Sequence, residues 1–487
     1  MELFHNFINI LNPIVWVLYL ITILVVVVVT ILENRNPVKT ISWVLVLILL
    51  PVVGFIFFIF FGQNLRKEKI IARKGLRNHQ RLSKLAHSQI TQLGEGGLFD
   101  EEAIEEKRKI ISLLLNNSKS VVTVGNKIEV LNNGTATFNS IIEEMEKAKK
   151  FIHLEYYIFT DDSIGQKIKE ILKRKAVEGV EVRLIVDDVG SWELKKVFFE
   201  EIKTAGIEAY SFLQVRFPSF TSKVNYRNHR KIIVIDGNIG FLGGVNIADR
   251  YIKGTATLGM WRDTHLRIEG DAVNTLQTIF LTDWFFVSQI ELYDKKYFPT
   301  EPPTGNKMVQ IVASGPDSDW PGIMMGIFQA IAAAKKYVYI ATPYFMPNES
   351  VLMALKAAAM GNVDVRIIIP EKSDAFISHL SSRSFIREML DANVKIYFYN
   401  KGFLHSKIML VDDIISMVGS ANMDFRSFEH NFEVSAFVFD KETTLELKHH
   451  FEKDLTNSKL ITLNKWVKRP NIEKIKESFA RLISPLL

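Results

Sequence analysis

Two imidazoles, two ammonium groups and two amides recur at matched spacing in this chain. The first set lies in NHRKIIVIDGNIGFLGGVN, with His229, Lys231, Asp236, Gly243, Gly244 and Asn246. The second lies in LHSKIMLVDDIISMVGSAN, with His405, Lys407, Asp412, Gly419, Ser420 and Asn422. Both read H-x-K-x4-D-x6-G-[GS]-x-N, and a single copy of such a pattern is a weak signal. Two copies with matching Gly and Asn positions are not a chance event. Residues two apart on a strand share a face, so His229 projects beside Lys231 and His405 beside Lys407. Gathered in one pocket, these groups suit a phosphodiester. The cations and amide donors of Asn246 and Asn422 hold the non-bridging oxygens and stabilise the charge that builds on them during displacement. One imidazole attacks phosphorus while the other protonates the departing alcohol and later deprotonates the acceptor. The Gly-Gly and Gly-Ser turns let backbone approach the site. Asp236 and Asp412 begin turns and suit fixing local geometry better than moving protons.

The elements that must position these residues form an internal repeat. Ala148-Lys149-Lys150 leads into FIHLEYYIF, and Ala334-Lys335-Lys336 leads into YVYIATPYF, 186 residues later. VEVRLIV from Val180 matches VDVRIII from Val363, and GIEAYSF from Gly206 resembles NVKIYFY from Asn393. Helical patterns such as Ile164 to Val177 and Val351 to Ala359 separate these β-branched and aromatic runs. Strand, helix, strand, helix, strand in each copy predicts an α/β domain built twice, with two halves sharing one site. Glu155 in the first copy has Ala341 as its counterpart in the second, so the site need not be symmetric. The Pro-Pro-Thr-Gly run after Glu301 reads as the joint between halves. The boundaries expected are 118–300 for the first half and 301–487 for the second. A C-terminal stretch with Ile472, Ile475, Phe479, Leu482 and Ile483 at helical period suits either a membrane interface or packing on the second half.

Composition narrows the setting. The 487 residues are 48% hydrophobic and 23% charged, with 34 Phe, no Cys and a net charge of +6. The apolar content excludes a disordered chain. The absence of Cys excludes disulfide frameworks, thiolate metal sites and cysteine nucleophiles. No His, Asp or Glu cluster stands out at metal-ligand spacing, and Lys231 and Lys407 already supply positive charge. Residues 14–32 and 41–61 carry no charged side chain, and each reaches the ~20 residues that cross a bilayer core. A transmembrane hairpin is therefore expected within residues 1–62. Basic residues cluster after the second run, from Arg66 to Lys84, against only Arg35 and Lys39 between the runs. That asymmetry places the N-terminus and the large C-terminal body in the cytoplasm. Residues 63–117 read as a basic linker lying against anionic headgroups.

The paired motifs resemble those of the phospholipase D superfamily, in which two H-K-D signatures form one active site. The chain is similar to bacterial cardiolipin synthases over nearly its whole length. The similarity runs through ENRNPVKTISWVLVLILLPVVG, HLEYYIF, RNHRKIIVIDG, WRDTH, SGPD and the terminal RLISPLL. It implies transfer of a phosphatidyl group from one phosphatidylglycerol to another, releasing glycerol, with neither nucleotide nor metal cofactor. It further implies His229 as nucleophile, forming a phosphatidyl-histidine, and His405 as acid and then base, although the two could exchange roles. Asp263 in WRDTH and Glu433 in HNFE are the carboxylates the resemblance offers for orienting the imidazoles. Trp261 and Arg262 suit a headgroup contact, core packing or an ion pair equally. A hydrolase using water as acceptor and a non-catalytic lipid-binding scaffold remain alternatives. A nucleic-acid partner is not expected, because no basic groove with interleaved aromatics is evident.

Overall fold

The computed structural model describes residues 37–49, 76–94, 101–215, 226–299 and 302–486, with isolated positions elsewhere near the N-terminus. Residues 70–215 and 226–487 form one compact unit, and the helix Pro37–Leu49 belongs to a second. Most of the two expected spans lies outside the described residues. Among the described residues no helix is long and apolar enough to cross a membrane. The helix Pro37–Leu49 starts within the expected inter-span loop, and Pro37 occupies a first-turn position that proline's fixed φ favours.

The first half of the body supplies β1 (Val122–Leu131), β2 (Phe151–Tyr156), β3 (Glu181–Asp187), β4 (Glu208–Phe212), β5 (Lys231–Ile235), β6 (Ile239–Gly243), β7 (Met260–Arg262) and β8 (His265–Glu269). The second half supplies β9 (Lys307–Ser314), β10 (Tyr337–Ala341), β11 (Phe345–Met346), β12 (Asp364–Pro370), β13 (Lys395–Tyr399), β14 (Gly402–Leu404), β15 (Ile408–Val411), β16 (Ile415–Gly419), β17 (Met423–Asp424), β18 (Glu433–Val438) and β19 (Ser458–Ile461). One sheet runs β19-β13-β12-β10-β15-β16-β18-β9-β1-β8-β6-β5-β2-β3-β4. The order is mirrored about the antiparallel contact of β1 with β9. Walking outward from that contact meets β8 or β18, then β6 or β16, β5 or β15, β2 or β10, β3 or β12, and β4 or β13. The sequence repeat is thus a structural repeat, and the two copies join through their first strands.

Local chemistry accounts for the elements. The motif strands KIIVI and IMLV are buried at every residue, as expected of β-branched and aliphatic runs covered on both faces. The side chains of Asn133, Asp162, Asn348 and Asp440 cap the helices Gly134–Lys147, Ser163–Val177, Glu349–Met360 and Lys441–Thr456. The helices Ala272–Ser288 and Lys441–Thr456 share a core with both halves, including Phe280, Trp284, Leu447 and Phe451. Each half has a further core on its other sheet face, around Ile168, Phe198 and Phe241 in the first and Ile327, Leu355 and Phe398 in the second.

The stretch 63–117, expected as a basic linker, carries the helices Leu76–Gly94 and Glu101–Ser118. Ala86, Leu93, Ile110, Ile111, Leu114 and Leu115 are buried with Ile323 and Ile327 of the second half. Their helical spacing is hidden in a run dominated by charge. Several cations there are structural: Arg108 donates to the Leu93 carbonyl (2.8 Å) and Lys107 to that of Phe439 (3.1 Å). Gln89 exchanges two hydrogen bonds with the backbone of Val122 (2.7 and 2.9 Å), tying this helix to β1.

The motif aspartates serve the fold in the same way in both halves. Asp236 follows β5 at φ +52° and accepts hydrogen bonds from the backbone N–H of Lys149, Lys150 and Phe151 (2.8, 2.7 and 2.9 Å). Asp412 follows β15 at φ +53° and accepts from Lys335, Lys336 and Tyr337 (2.6, 2.8 and 2.8 Å). Each fixes the turn that starts its half's first repeat strand. Asp236→Ala and Asp412→Ala are expected to lose about 2 kcal/mol each, the scale of hydrogen bonds to a charged acceptor. Thermal unfolding of the two purified variants checks this; a loss in one half only would contradict the equivalence.

Candidate active site

The two motif histidines precede β5 and β15 and are held by strands of the opposite half. His229 donates its backbone N–H to the carbonyl of Phe432 (2.9 Å), next to Glu433. His405 donates its own to the carbonyl of Arg262 (2.8 Å), next to Asp263. The side chains repeat this crossing. Nδ1 of His229 lies 3.0 Å from both carboxylate oxygens of Glu433. Nδ1 of His405 lies 2.6 Å from Oδ2 of Asp263. Assigning the Nδ1 proton to each carboxylate contact leaves both Nε2 atoms as free bases. Asp263 and Glu433 occupy equivalent places, each two residues before the partner of a motif glycine: Gly243 pairs His265 and Gly419 pairs Ser435.

The variable position of the motif matches the length of the facing carboxylate. At Gly244 a Cβ would stand 2.1 Å from Oδ1 of Asp263, so only glycine leaves that carboxylate room. In the other copy Ser420 takes this place and its hydroxyl donates to Glu433. Thr264 N–H donates to Asp263 (2.7 Å) instead.

Both lysines reach back along their strands. Lys231 Nζ donates to the His229 carbonyl (2.6 Å), and Lys407 Nζ donates to that of His405. Lys407 Nζ also stands 2.9 Å from His405 Nδ1, crowding the ring against Asp263. The four cationic or potentially cationic groups act on one another across the halves. Burial lowers His229 to about 4 against the pull of Glu433, with Lys231 and Lys407 adding to the fall. Burial and Lys407 drive His405 well below its ordinary value. Burial lowers Lys231 to about 7 and Lys407 to about 8, against the attraction of Glu433 and Asp263 respectively. Burial raises Asp263, with Lys407 opposing; Glu433 is held low because His229 and Lys231 outweigh its burial. At neutral pH the imidazoles are therefore neutral and the lysines lie close to their titration points, so a bound anion favours their ammonium forms.

Seven of the sequence-predicted residues, His229, Lys231, Asn246, Asp263, His405, Lys407 and Glu433, gather at or beside this centre. Asp236 and Asp412 do not; they sit at the far ends of β5 and β15 and hold the turns there. Asn246 and Asn422 are buried, but the amide of Asn246 donates to the Tyr251 hydroxyl (2.8 Å) and its oxygen accepts from Ile158 N–H (3.2 Å). It braces the site wall beside His405, whose ring lies 5.7 Å from that of Tyr251. Trp261 packs edge-on against Phe403 and within 5.3 Å of the His405 ring, while Arg262 pairs with Asp454 (3.0 Å). Both serve the interior.

Sequence reasoning missed a buried network behind His229. Arg227 and the Asn228 N–H bind Asp187 (3.1 and 2.8 Å), and Asn228 donates through its amide to Glu155. Arg230 pairs with Asp283 and donates to the Glu433 carbonyl (3.2 Å). Burial and the neighbouring Asp283 push Glu155 well above the usual carboxylate range. The signal was present in RNHRK: four polar residues flank His229 at the entrance to an apolar strand, and all four are buried.

The family described as "Cardiolipin synthase, PLD-like domain" matches residues 141–284 and 327–455, one stretch in each half. The chain belongs to the cardiolipin synthase family. The family described as "Phospholipase_D-nuclease N-terminal" matches residues 14–63. The chain is 44% identical to the cardiolipin synthase of Geobacillus sp. (strain WCH70) over 94% of its own length and 90% of the relative's. It is 42% identical to cardiolipin synthase 1 of Staphylococcus aureus (strain COL), covering 93% of both chains. Among solved structures, phosphatidylserine synthase of Haemophilus influenzae Rd KW20 shares the fold. Its TM-score is 0.59 at 15% identity, covering 79% of this chain and 100% of that one.

In this member of the cardiolipin synthase family, the crossed carboxylates predict that both orienting contacts are needed. Glu433→Gln and Asp263→Asn are each expected to lower turnover at least about 10²-fold, the usual contribution of a positioned acid or base. Turnover within tenfold of the parent would show that the carboxylates do not orient the imidazoles. A pH profile gives a second check. Phosphate binding needs the ammonium forms, so kcat/KM is expected to fall as pH rises through the lysine values of about 7 and about 8. A flat profile to pH 10 would contradict this.

Proposed function

We propose that the chain makes cardiolipin by transferring a phosphatidyl group between two phosphatidylglycerol molecules, and the crossed histidine–carboxylate pairs carry this reading. His229 Nε2 attacks the phosphorus of the first lipid while Glu433 stabilises the charge gained at its ring. The bond from phosphorus to the glycerol oxygen breaks, and His405 supplies the proton that leaves with glycerol. The second phosphatidylglycerol then offers its terminal hydroxyl. His405 removes that proton, the oxygen attacks phosphorus, and the P–N bond to His229 breaks. Lys231 and Lys407 stay beside the non-bridging oxygens throughout and stabilise the pentacoordinate charge. An anionic phosphate raises the pKa of the nearby imidazoles and lysines, so substrate binding itself favours a protonated His405. No step calls for a cofactor.

The match of residues 14–63 to an N-terminal family module supports a membrane hairpin with spans at 14–32 and 41–61. The basic residues following it support a cytoplasmic body facing the anionic inner leaflet.

Purified full-length protein supplied with headgroup-labelled phosphatidylglycerol is expected to release one glycerol per cardiolipin. Phosphatidic acid as the main product would replace the transferase reading with hydrolysis. After quenching in SDS at mildly alkaline pH, which preserves the acid-labile P–N bond, an adduct from lipid labelled at phosphorus should be recovered from the parent and be absent from His229→Asn. Its persistence would move the nucleophile to His405.

A further inference from the structure

The C-terminal helix Asn471–Leu482 is mounted with its apolar face outward. Ile472, Ile475, Phe479 and Leu482 lie within one arc at about 100° per residue, and Phe479 and Leu482 are 69% and 75% exposed. The residue opposite that arc is Glu477, which is buried. It binds Arg469 bidentately (2.5 and 2.9 Å) and Arg383 (3.0 Å). Arg481 adds contacts to the Ser384 carbonyl (3.2 Å) and to Glu388 (2.6 Å). The polar face is therefore the one locked onto the body, which is the reverse of an ordinary surface helix. The ion pairs fix this orientation.

Contacts link this helix, and a matching loop of the first half, to the catalytic centre. Helix Phe376–Ser384, to which Glu477 is tied through Arg383, opens with Phe376, 72% exposed, beside the half-exposed Ile377. Asp374, just before it, accepts from the Tyr344 hydroxyl (2.6 Å), and its charge acts on His405 and Lys407. The equivalent loop of the first half, after β3, carries Trp192, 78% exposed. Its neighbour Ser191 donates to the Tyr157 carbonyl (3.0 Å), and the Tyr157 ring lies 4.9 Å from that of His229. Large exposed aromatics thus stand at matching places on the two sides of the site. The chain from Lys459 to Arg481 bears seven basic residues against two acidic ones, and both acids face Arg383. Lys465, Lys468 and Lys476 are exposed.

We propose that Trp192, Phe376 and the stripe Ile472, Ile475, Phe479 and Leu482 form a docking face for an anionic phospholipid bilayer, which turns the catalytic mouth toward the lipid surface. The apolar side chains enter the headgroup–acyl boundary and the exposed lysines meet lipid phosphates, the arrangement of an interfacial helix. A substrate lipid then reaches His229 and His405 with its acyl chains still largely in the membrane. The docking face rests on the reading that the substrate is phosphatidylglycerol, and it adds a binding surface outside the hairpin.

The chain has no Cys, so single labels can be placed cleanly. Full-length Phe479→Cys and Leu482→Cys, labelled with bimane, are to be reconstituted in vesicles of phosphatidylcholine and phosphatidylglycerol containing brominated acyl chains. Both are expected to be quenched at least twofold more than a label at Glu143→Cys, which lies exposed on the helix Gly134–Lys147. Equal quenching at the three sites would overturn the proposal. In parallel, Phe479→Glu/Leu482→Glu is expected to lose about tenfold of its rate on bilayer phosphatidylglycerol while keeping its rate on a monomeric short-chain analogue. Loss on both substrates would assign these residues a structural role instead. A change in oligomeric mass in detergent would assign the face to a second copy of the chain. Selective quenching in an enzyme that makes no cardiolipin from either lipid would support docking and defeat the substrate reading alone.

Discussion

Each motif imidazole takes its carboxylate from the other half of the molecule, and the rest of the body is arranged around that exchange. Glu433 and Asp263 are buried completely, and a buried carboxylate without its partner is strongly destabilising. Neither half can therefore satisfy its own site. The strands must bring His229 beside Phe432 and Glu433, and His405 beside Arg262 and Asp263, before either charge is paired. The antiparallel joining of β1 to β9 sets this up, because it places β18, which opens on Glu433, and β8, which Asp263 precedes by two residues, next to the central contact. The shared core of helices Ala272–Ser288 and Lys441–Thr456 then fills the space beneath. The candidate catalytic centre at the seam between repeats thus doubles as the polar lock of the seam.

The two half-sites are equivalent in backbone but not in chemistry. Gly244 opposes the short Asp263, while Ser420 donates to the longer Glu433. Glu155 in β2 has Ala341 as its counterpart in β10, so only His229 is backed by the network of Asn228, Glu155, Asp283 and Arg230. Only His405 has its lysine pressed against Nδ1. The proposed two-step displacement asks one imidazole to stay bonded to phosphorus and the other to shuttle a proton, and the departures from symmetry give the two imidazoles different surroundings for such tasks. The network also limits what RNHRK can tolerate, since Arg227, Asn228 and Arg230 are buried and hydrogen-bonded on both sides of the nucleophile candidate.

The fold class, the doubled α/β plan and the identity of the reactive side chains were legible in the chain because each is a local pattern. A strand announces itself by β-branched runs, a repeat by self-similarity, and a histidine–lysine pair by its two-residue spacing on one face. The helices between 76 and 118 were legible in principle through Leu82, Ala86, Ile90 and Leu93 at helical spacing, yet the surrounding charge made the stretch look like a linker. The role of Asp236 and Asp412 was half-read: their place at a turn was visible, and the three N–H groups each one gathers were not.

What the sequence settled by itself was therefore the chemistry available: two imidazoles, two ammonium groups, and two nearby carboxylates named by family resemblance. Tertiary structure alone decided the pairing. Glu433 stands 204 residues from His229, and Asp263 stands 142 residues from His405. No spacing rule joins residues that far apart, because their meeting depends on how whole sheets dock. The same reason governs the last helix. Its apolar stripe was plain in the sequence, but whether that stripe faced inward or outward depended on Arg383 and Arg469 reaching Glu477. Periodicity identifies a face; only the long-range ion pairs show which way it points.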